Sequence, residues 1–379
     1  MKFLRDFLDQ QKPNFEKGGK LEKFRSVFGG FETFLFVPNH TTKTGAHIRD
    51  AVDLKRTMIV VVLALIPALL FGMYNVGYQH FLASGATATF FEMFLFGALK
   101  VVPMIIVSYV VGLGIEFAVA QIKGHEINEG FLVSGILIPM IMPVEAPLWM
   151  LALSTAFAVI IGKEIFGGTG MNIWNPALIA RAFFFFAYPS MMSGDKVWVA
   201  AESGADAVTK ATPLAEMALG NGMGEFTMMD AFLGFIPGSI GETSTAAILL
   251  GALLLLITNV ASWRIMLSVF VGGFAAGAAF AGITGVCPLQ QILIGGFAFG
   301  AVFMATDPVT SSQTNKGKYI YGFLIGAMAI VIRSINPGYP EGMMLAILLM
   351  NTFAPLIDWC VVQGNINRRL KRAKQIANN

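Results

Sequence analysis

From residue 57 onward, long apolar runs alternate with short polar ones. The runs predict helices at Thr57–Tyr74, Val101–Ala120, Gly130–Met142, Pro147–Ile161 and Asn175–Tyr188. After a polar stretch they resume at Ser244–Val260, Ile265–Thr284, Gln290–Ala305, Tyr319–Arg333 and Pro340–Leu356. A bilayer core of about 30 Å needs around 20 helical residues, so several runs are short, and Gly and Pro interrupt them. One break, Pro139 to Pro143 and on to Pro147, ends the third run. Another, Met304 to Pro308 and on to Asn315, ends the eighth. These are matching places in two five-helix halves, the pattern of inverted-repeat transport folds, which bind near the midplane. Ordinary inter-helix loops carry the same punctuation. A third, Gly-rich break, Phe166 to Pro176, follows the fourth run. The expected fold class is an all-α polytopic membrane protein of about ten transmembrane helices, arranged as two inverted five-helix repeats.

Composition and charge sharpen this. Hydrophobic residues make up 55% of the chain and charged residues 13%, about half the charge a soluble surface carries. Residues 1–56 hold eleven Lys/Arg, and Arg368, Arg369, Lys371, Arg372 and Lys374 cluster later. From Met191 to Glu242 there are two bases against seven acids. By the positive-inside rule both termini are cytoplasmic and this loop faces outward. Alternate crossings then put Lys123, Lys163, Arg264, Lys316 and Lys318 inside. The expected organisation is a cytoplasmic arm over 1–56, a membrane domain over 57–362 with an external loop at 190–243, and a basic cytoplasmic tail over 363–379. Met1 to Leu8 suits an interfacial helix. The polar first 20 residues do not form a cleavable signal. Cys287 and Cys360 make neither a disulfide framework nor a metal site. No base-reading module accompanies the basic ends, so no nucleic-acid partner is expected.

Several residues carry candidate chemistry. Glu116 lies deep in the second run with Gly112 one turn before it. A carboxyl at membrane depth is either functional or paired with an Arg of a neighbouring helix. Asn172 and Asn175 lie in the Gly-rich break, where Asn amides either cap a helix or pair with a heterocycle's donor–acceptor edge. Asp307 sits at the second break and Asp358 at the inner end of the tenth run. Carboxylates beside freed carbonyls suit a hard cation such as Na+, and solvation at the interface is the other reading for Asp358. Glu341 opens the tenth run, where a helix N-terminus favours a carboxylate anyway. The Phe183–Phe186 run points all round a helix. There is no dinucleotide fingerprint.

In the outer loop, the string Asp206-Ala-Val-Thr-Lys-Ala-Thr212 resembles the flavinylation motif of redox-pump subunits, with Lys210 where that motif carries Gly. Over nearly its whole length the chain resembles the B subunits of Na+-translocating NADH:quinone oxidoreductases. The resemblance is carried, in order, by His47 to Arg56, His125 to Phe131, Lys163 to Ala177, Arg181 to Pro189, Pro237 to Thr245, Gly295 to Gly300, Ala305 to Pro308 and Asn336 to Met344. It implies FMN joined to Thr212 by a phosphoester, with Asp206 in the motif read by a flavin transferase. It also implies a non-covalent riboflavin near Asn172 and Asn175, and a quinone pocket at Gly112 and Glu116. Na+ is the exported ion, with Asp307 and Asp358 as candidates for its path. Implied partners are five other subunits of a six-subunit complex, one of them oxidising NADH with a flavin and an iron–sulfur centre. The implied location is the bacterial inner membrane. Two rival readings are the D subunit of the related Rnf ferredoxin:NAD oxidoreductase and a channel or transporter without redox work.

Overall fold

A computed structural model describes residues 2–16, 19–21, 25–36, 42, 44–46, 48, 52, 54–123, 131–192, 197–200, 211–336 and 341–377. Among its described residues the regular secondary structure is all helical, without a strand. Two helices form the arm, α1 (Lys2–Phe15) and α2 (Arg25–Leu35), joined by Lys12 Nζ donating to Glu32 (2.9 Å). The first membrane half holds α3 (Leu54–Ser84), α4 (Phe90–Lys123), α5 (Phe131–Met140), α6 (Leu148–Val159) and α7 (Pro176–Ala187). Three short helices punctuate the loop: α8 (Pro189–Met192), α9 (Pro213–Ala218) and α10 (Met228–Leu233). The second half holds α11 (Thr245–Ile257), α12 (Trp263–Thr284), α13 (Pro288–Leu293), α14 (Phe297–Phe299), α15 (Asn315–Ile335) and α16 (Met343–Ala377). Five of these, α3, α4, α12, α15 and α16, are long and apolar enough to cross a membrane. The chain is thus a polytopic membrane protein.

Helices α3, α4 and α16 reach further than the hydropathy suggests, α16 by 21 residues past Leu356. Helix α3 runs ten residues past Tyr74 because its polar outer face is buried and bonded. Asn75 Nδ2 donates to the Ile236 carbonyl (2.9 Å) and His80 Nδ1 to the Ala200 carbonyl (2.6 Å). Helix α4 begins at Phe90, where Thr89 and Glu92 cap its first turn reciprocally (2.7 and 3.4 Å), a capping box. Glycines bring α3 and α4 into contact. A Cβ at Gly77 would strike the Met93 backbone, and one at Gly97 the Met73 backbone, the small-residue packing that membrane helices rely on.

Interruptions of the helices are present at the breaks. Helix α6 ends in a π-helical turn, Ile160–Glu164, and α14 runs into another, Gly300–Met304; such turns often mark functional sites. The run expected over Gln290–Ala305 is interrupted at Gly295, whose φ of 66° suits glycine. Part of the stretch read as a polar loop over 190–243 is packed into the protein. Ile236, Ser239, Ile240, Glu242 and Thr243 are all buried. Gly241 N–H donates to the Met140 carbonyl (2.7 Å) at the end of α5. Residues 236–244 therefore plug the space beside the half-length helix α5.

Candidate functional site

The second break and the Gly-rich segment converge on one cleft of about 730 Å³, counting its open mouth; the first break, Pro139 to Pro147, does not line it. Lys163, Thr169, Asn172 and Asn175 come from the π-turn after α6 and the segment that follows it. Thr306 to Val309 come from the second break, and Val133 to Leu137 from α5. Met58 of α3 and Val260–Ala261, just before α12, close it. The Gly-rich segment can turn this sharply because Gly167, Gly168 and Gly170 hold φ between 90° and 118°, a region side chains rarely adopt. Asn175 caps α7, its Oδ1 accepting from the N–H groups of Ala177 (3.0 Å) and Leu178 (3.4 Å). Its Nδ2 donates to Asp307 Oδ2 (3.4 Å). The Asp307 carboxylate also accepts from Val309 N (3.1 Å) and Thr310 Oγ1 (3.1 Å). Asn172 Nδ2 donates to the Trp174 carbonyl (3.0 Å). Nearby, the buried Tyr321 hydroxyl lies 2.6 Å from the Asn351 side-chain amide.

Lys163 joins this cleft to Glu116. Its ammonium forms an ion pair and hydrogen bond with Glu116 Oε1, and each side chain is 4% exposed. Of the two readings of the buried carboxyl, the cation pair is present, with a lysine as the partner. The space left by Gly112 is taken by the Phe131 ring. Tyr109 sits on Gly135 in the same way, and its hydroxyl donates to the Leu132 carbonyl (2.6 Å). Helices α4 and α5 thus interlock, ring against glycine, beside the ion pair.

On the other side of the bundle, Thr212 is half-buried and caps α9, its Oγ1 accepting from Ala215 N (3.1 Å). Asp206 lies outside the described residues. Leu214 anchors this turn in a small separate core with Met223, Ala231, Ile236 and Ile294. Beneath it, Arg181 (2% exposed) binds Glu242 through Nη1 (2.6 Å) and Glu341 through Nη2 (2.5 Å). Arg333 donates to the carbonyls of Gln291, Ile294 (3.3 Å) and Glu341 (3.2 Å). It satisfies the carbonyls that the break after α13 leaves without a helical partner. Two arginines and two glutamates thus form a balanced cluster in the apolar interior.

The sequence matches the model of the NQR2, RnfD, RnfE family over residues 41–367. The chain belongs to the NQR2, RnfD, RnfE family. Within this family it is similar to proteins named as B subunits of Na(+)-translocating NADH-quinone reductase. The one from Chromohalobacter salexigens is 48% identical over 97% of this chain and 96% of its own. Those of Ectopseudomonas mendocina (47%) and Pseudomonas aeruginosa PAO1 (46%) align over 97% of this chain and 99% of theirs. The resemblance read from the ordered strings is confirmed. The part matched by the NQR2, RnfD, RnfE model includes the cleft, the ion pair, Thr212 and the arginine cluster.

In this family member the fold brings Asn172, Asn175 and Asp307 together, and Lys163 adds Glu116 behind them. Thr212 is in the loop between the two sets of long helices, away from them. Asp358 is engaged elsewhere: it accepts from Ser312 Oγ (2.6 Å), Gln313 N (2.7 Å), Thr314 N (2.9 Å) and Thr314 Oγ1 (2.6 Å), at the N-terminus of α15. The sequence reading gave no site role to Lys163, Arg181, Glu242 or Arg333. A charged residue within an apolar helix is itself the signal, and Arg181 in α7 carries it.

Proposed function

We propose that the chain is the quinone-reducing membrane subunit of a Na+-translocating NADH:quinone oxidoreductase, with electrons reaching quinone through two flavins. The observation that carries this is the cleft, where two Asn amides, an ammonium and a carboxylate meet between broken helices. Its donor set suits the polar edge of an isoalloxazine, and Val133, Leu137 and Phe303 offer apolar walls for the ring faces. Asn172 and Asn175 would hold riboflavin there. Thr212 would carry FMN, attached by a flavin transferase through the hydroxyl, with Asp206 in the recognised string. Bound flavins supply the one- and two-electron steps between NADH, oxidised on a partner subunit, and quinone.

The chain's own residues orient and charge-balance these groups. Lys163 holds positive charge at the cleft wall, and the Glu116 carboxylate behind it accepts or relays a proton for quinone. Gly112 would open to the headgroup if the Phe131 ring moved aside. Asp307 offers oxygen ligands to Na+ at the cleft floor, and Asp358 lies on the adjoining turn. Moving one charge against 100 mV costs about 2.3 kcal/mol, so each export step needs a comparable redox drop. The ten-helix, two-repeat arrangement is supported by matched neighbours. Helix α4 packs on α5 and α6 as α12 packs on α13 and α15, and α6 packs on α7 as α15 packs on α16. The basic arm and tail would be cytoplasmic in a bacterial inner membrane, with five further subunits assembled around the chain.

The D subunit of an Rnf complex is disfavoured because relatives named as B subunits of the reductase cover 97% of this chain. A channel without redox work is separated by a flavin assay. The purified chain should exceed its polypeptide mass by one FMN and release one riboflavin on denaturation, and Asn172→Leu should lower only the riboflavin. A chain with neither flavin would overturn the proposal.

A further inference from the structure

Helix α16 runs unbroken through 35 residues, about 52 Å at 1.5 Å per residue, against a hydrocarbon core of ~30 Å. It is packed on α15, α7 and the π-turn after α14, yet residues 364–376 are exposed without exception. That stretch holds Arg368, Arg369, Lys371, Arg372 and Lys374, and no acid follows Asp358. Ile366, Leu370 and Ala373, spaced i, i+4 and i+7, form an apolar stripe along one side. Like charges a turn apart weaken the helix there. All three features favour a covered state.

We propose that residues 364–376 dock on another protein, in an apolar groove rimmed by carboxylates. The groove takes the stripe and the rim neutralises the bases, the helix-in-groove mode of recognition. A second copy of this chain would set bases against bases. Anionic lipid headgroups fit less well, because the helix continues rigidly from its membrane part. Arg368 to Lys374 follow the exposed Trp359 by about 13–22 Å along the axis. The inference rests on α16 crossing the bilayer and not on the flavin assignments.

The test places the photo-cross-linker p-benzoylphenylalanine at position 373. Native membranes are irradiated, the chain is purified by an affinity tag, and the adduct is sequenced by mass spectrometry. The expected adduct is one acid-rich segment of a different protein. Arg368→Gln, Arg369→Gln, Lys371→Gln and Arg372→Gln combined should cut its yield roughly tenfold, as expected for four exposed charge pairs lost together. Raising salt on the unsubstituted chain should lower the yield too, which keeps the test decisive if the variant assembles poorly. Adducts on phospholipid, nucleic acid or a second copy, no adduct, or a yield indifferent to salt would each overturn the proposal.

Discussion

Glu116→Gln separates support from chemistry at the buried pair. The substitution keeps the shape but leaves Lys163 without its counter-charge, and both side chains are only 4% exposed. Removing one member of a buried pair costs about 3–5 kcal/mol, a large share of the ~5–15 kcal/mol that holds a typical fold together. Glu116→Gln should therefore lower the midpoint of thermal aggregation in detergent by on the order of 5–10 °C. Adding Lys163→Met removes the stranded charge and fills its volume with an apolar chain, so the double variant should regain most of that loss. Quinone reduction should not return with it, because no carboxyl remains. The measurement is fluorescence-detected size exclusion after heating, alongside NADH oxidation with a soluble acceptor and with quinone. If the single variant melts within ~2 °C of the parent, the pair does not stabilise the bundle. If the double variant reduces quinone normally, Glu116 has no part in the chemistry.

Thr212→Ala should abolish in-gel flavin fluorescence and cost about 1 kcal/mol through the lost cap on Ala215 N–H, whereas Thr212→Ser should keep the cap. Leu219, exposed just after α9, should as Leu219→Cys react with an impermeant thiol reagent from the external face; labelling only after permeabilisation would reverse the proposed topology. Gly296→Ala should destabilise the chain, since its Cβ would lie 2.5 Å from Glu242 Oε1 and 2.9 Å from Glu341 Oε1; an unchanged melting point would show that both carboxylates can yield. Asp230 in the outer loop is held below the usual carboxylate pKa by hydrogen bonds from the Thr227 hydroxyl and N–H. Its contribution to the loop is therefore complete above the ordinary carboxylate range and is lost as pH falls through its depressed pKa. Limited proteolysis near α10 should rise in acid, and Thr227→Ala should move that rise to higher pH.

The apolar runs were legible because lipid imposes a coarse and continuous demand on composition. All ten expected runs lie on helices, although the eighth is two pieces around Gly295. Helix limits were less legible. Asn75 and His80 look like the end of a span until Ile236 and Ala200 supply their carbonyls. Lys163 could be read as a topology signal, but its role depends on Glu116, 47 positions earlier. The plug at 236–244 was hidden by its Pro, Gly and Ser content, which marks a loop and is silent on depth. Asn172, Asn175 and Asp307 were each legible alone. Their meeting depends on how two separate segments pack.

The half-length helices constrain how the protein is made. Helices α5, α7 and α11 have 10, 12 and 13 residues, about 15–20 Å of axial rise. None can bridge a bilayer alone, and α7 carries Arg181 as well. A nascent chain would therefore hold these segments back until longer neighbours entered the lipid beside them. Glu341, which pairs with Arg181, is synthesised 160 residues later. For that interval the arginine has Glu242 at best, so biogenesis should be most vulnerable to stalling or misinsertion before α16 emerges.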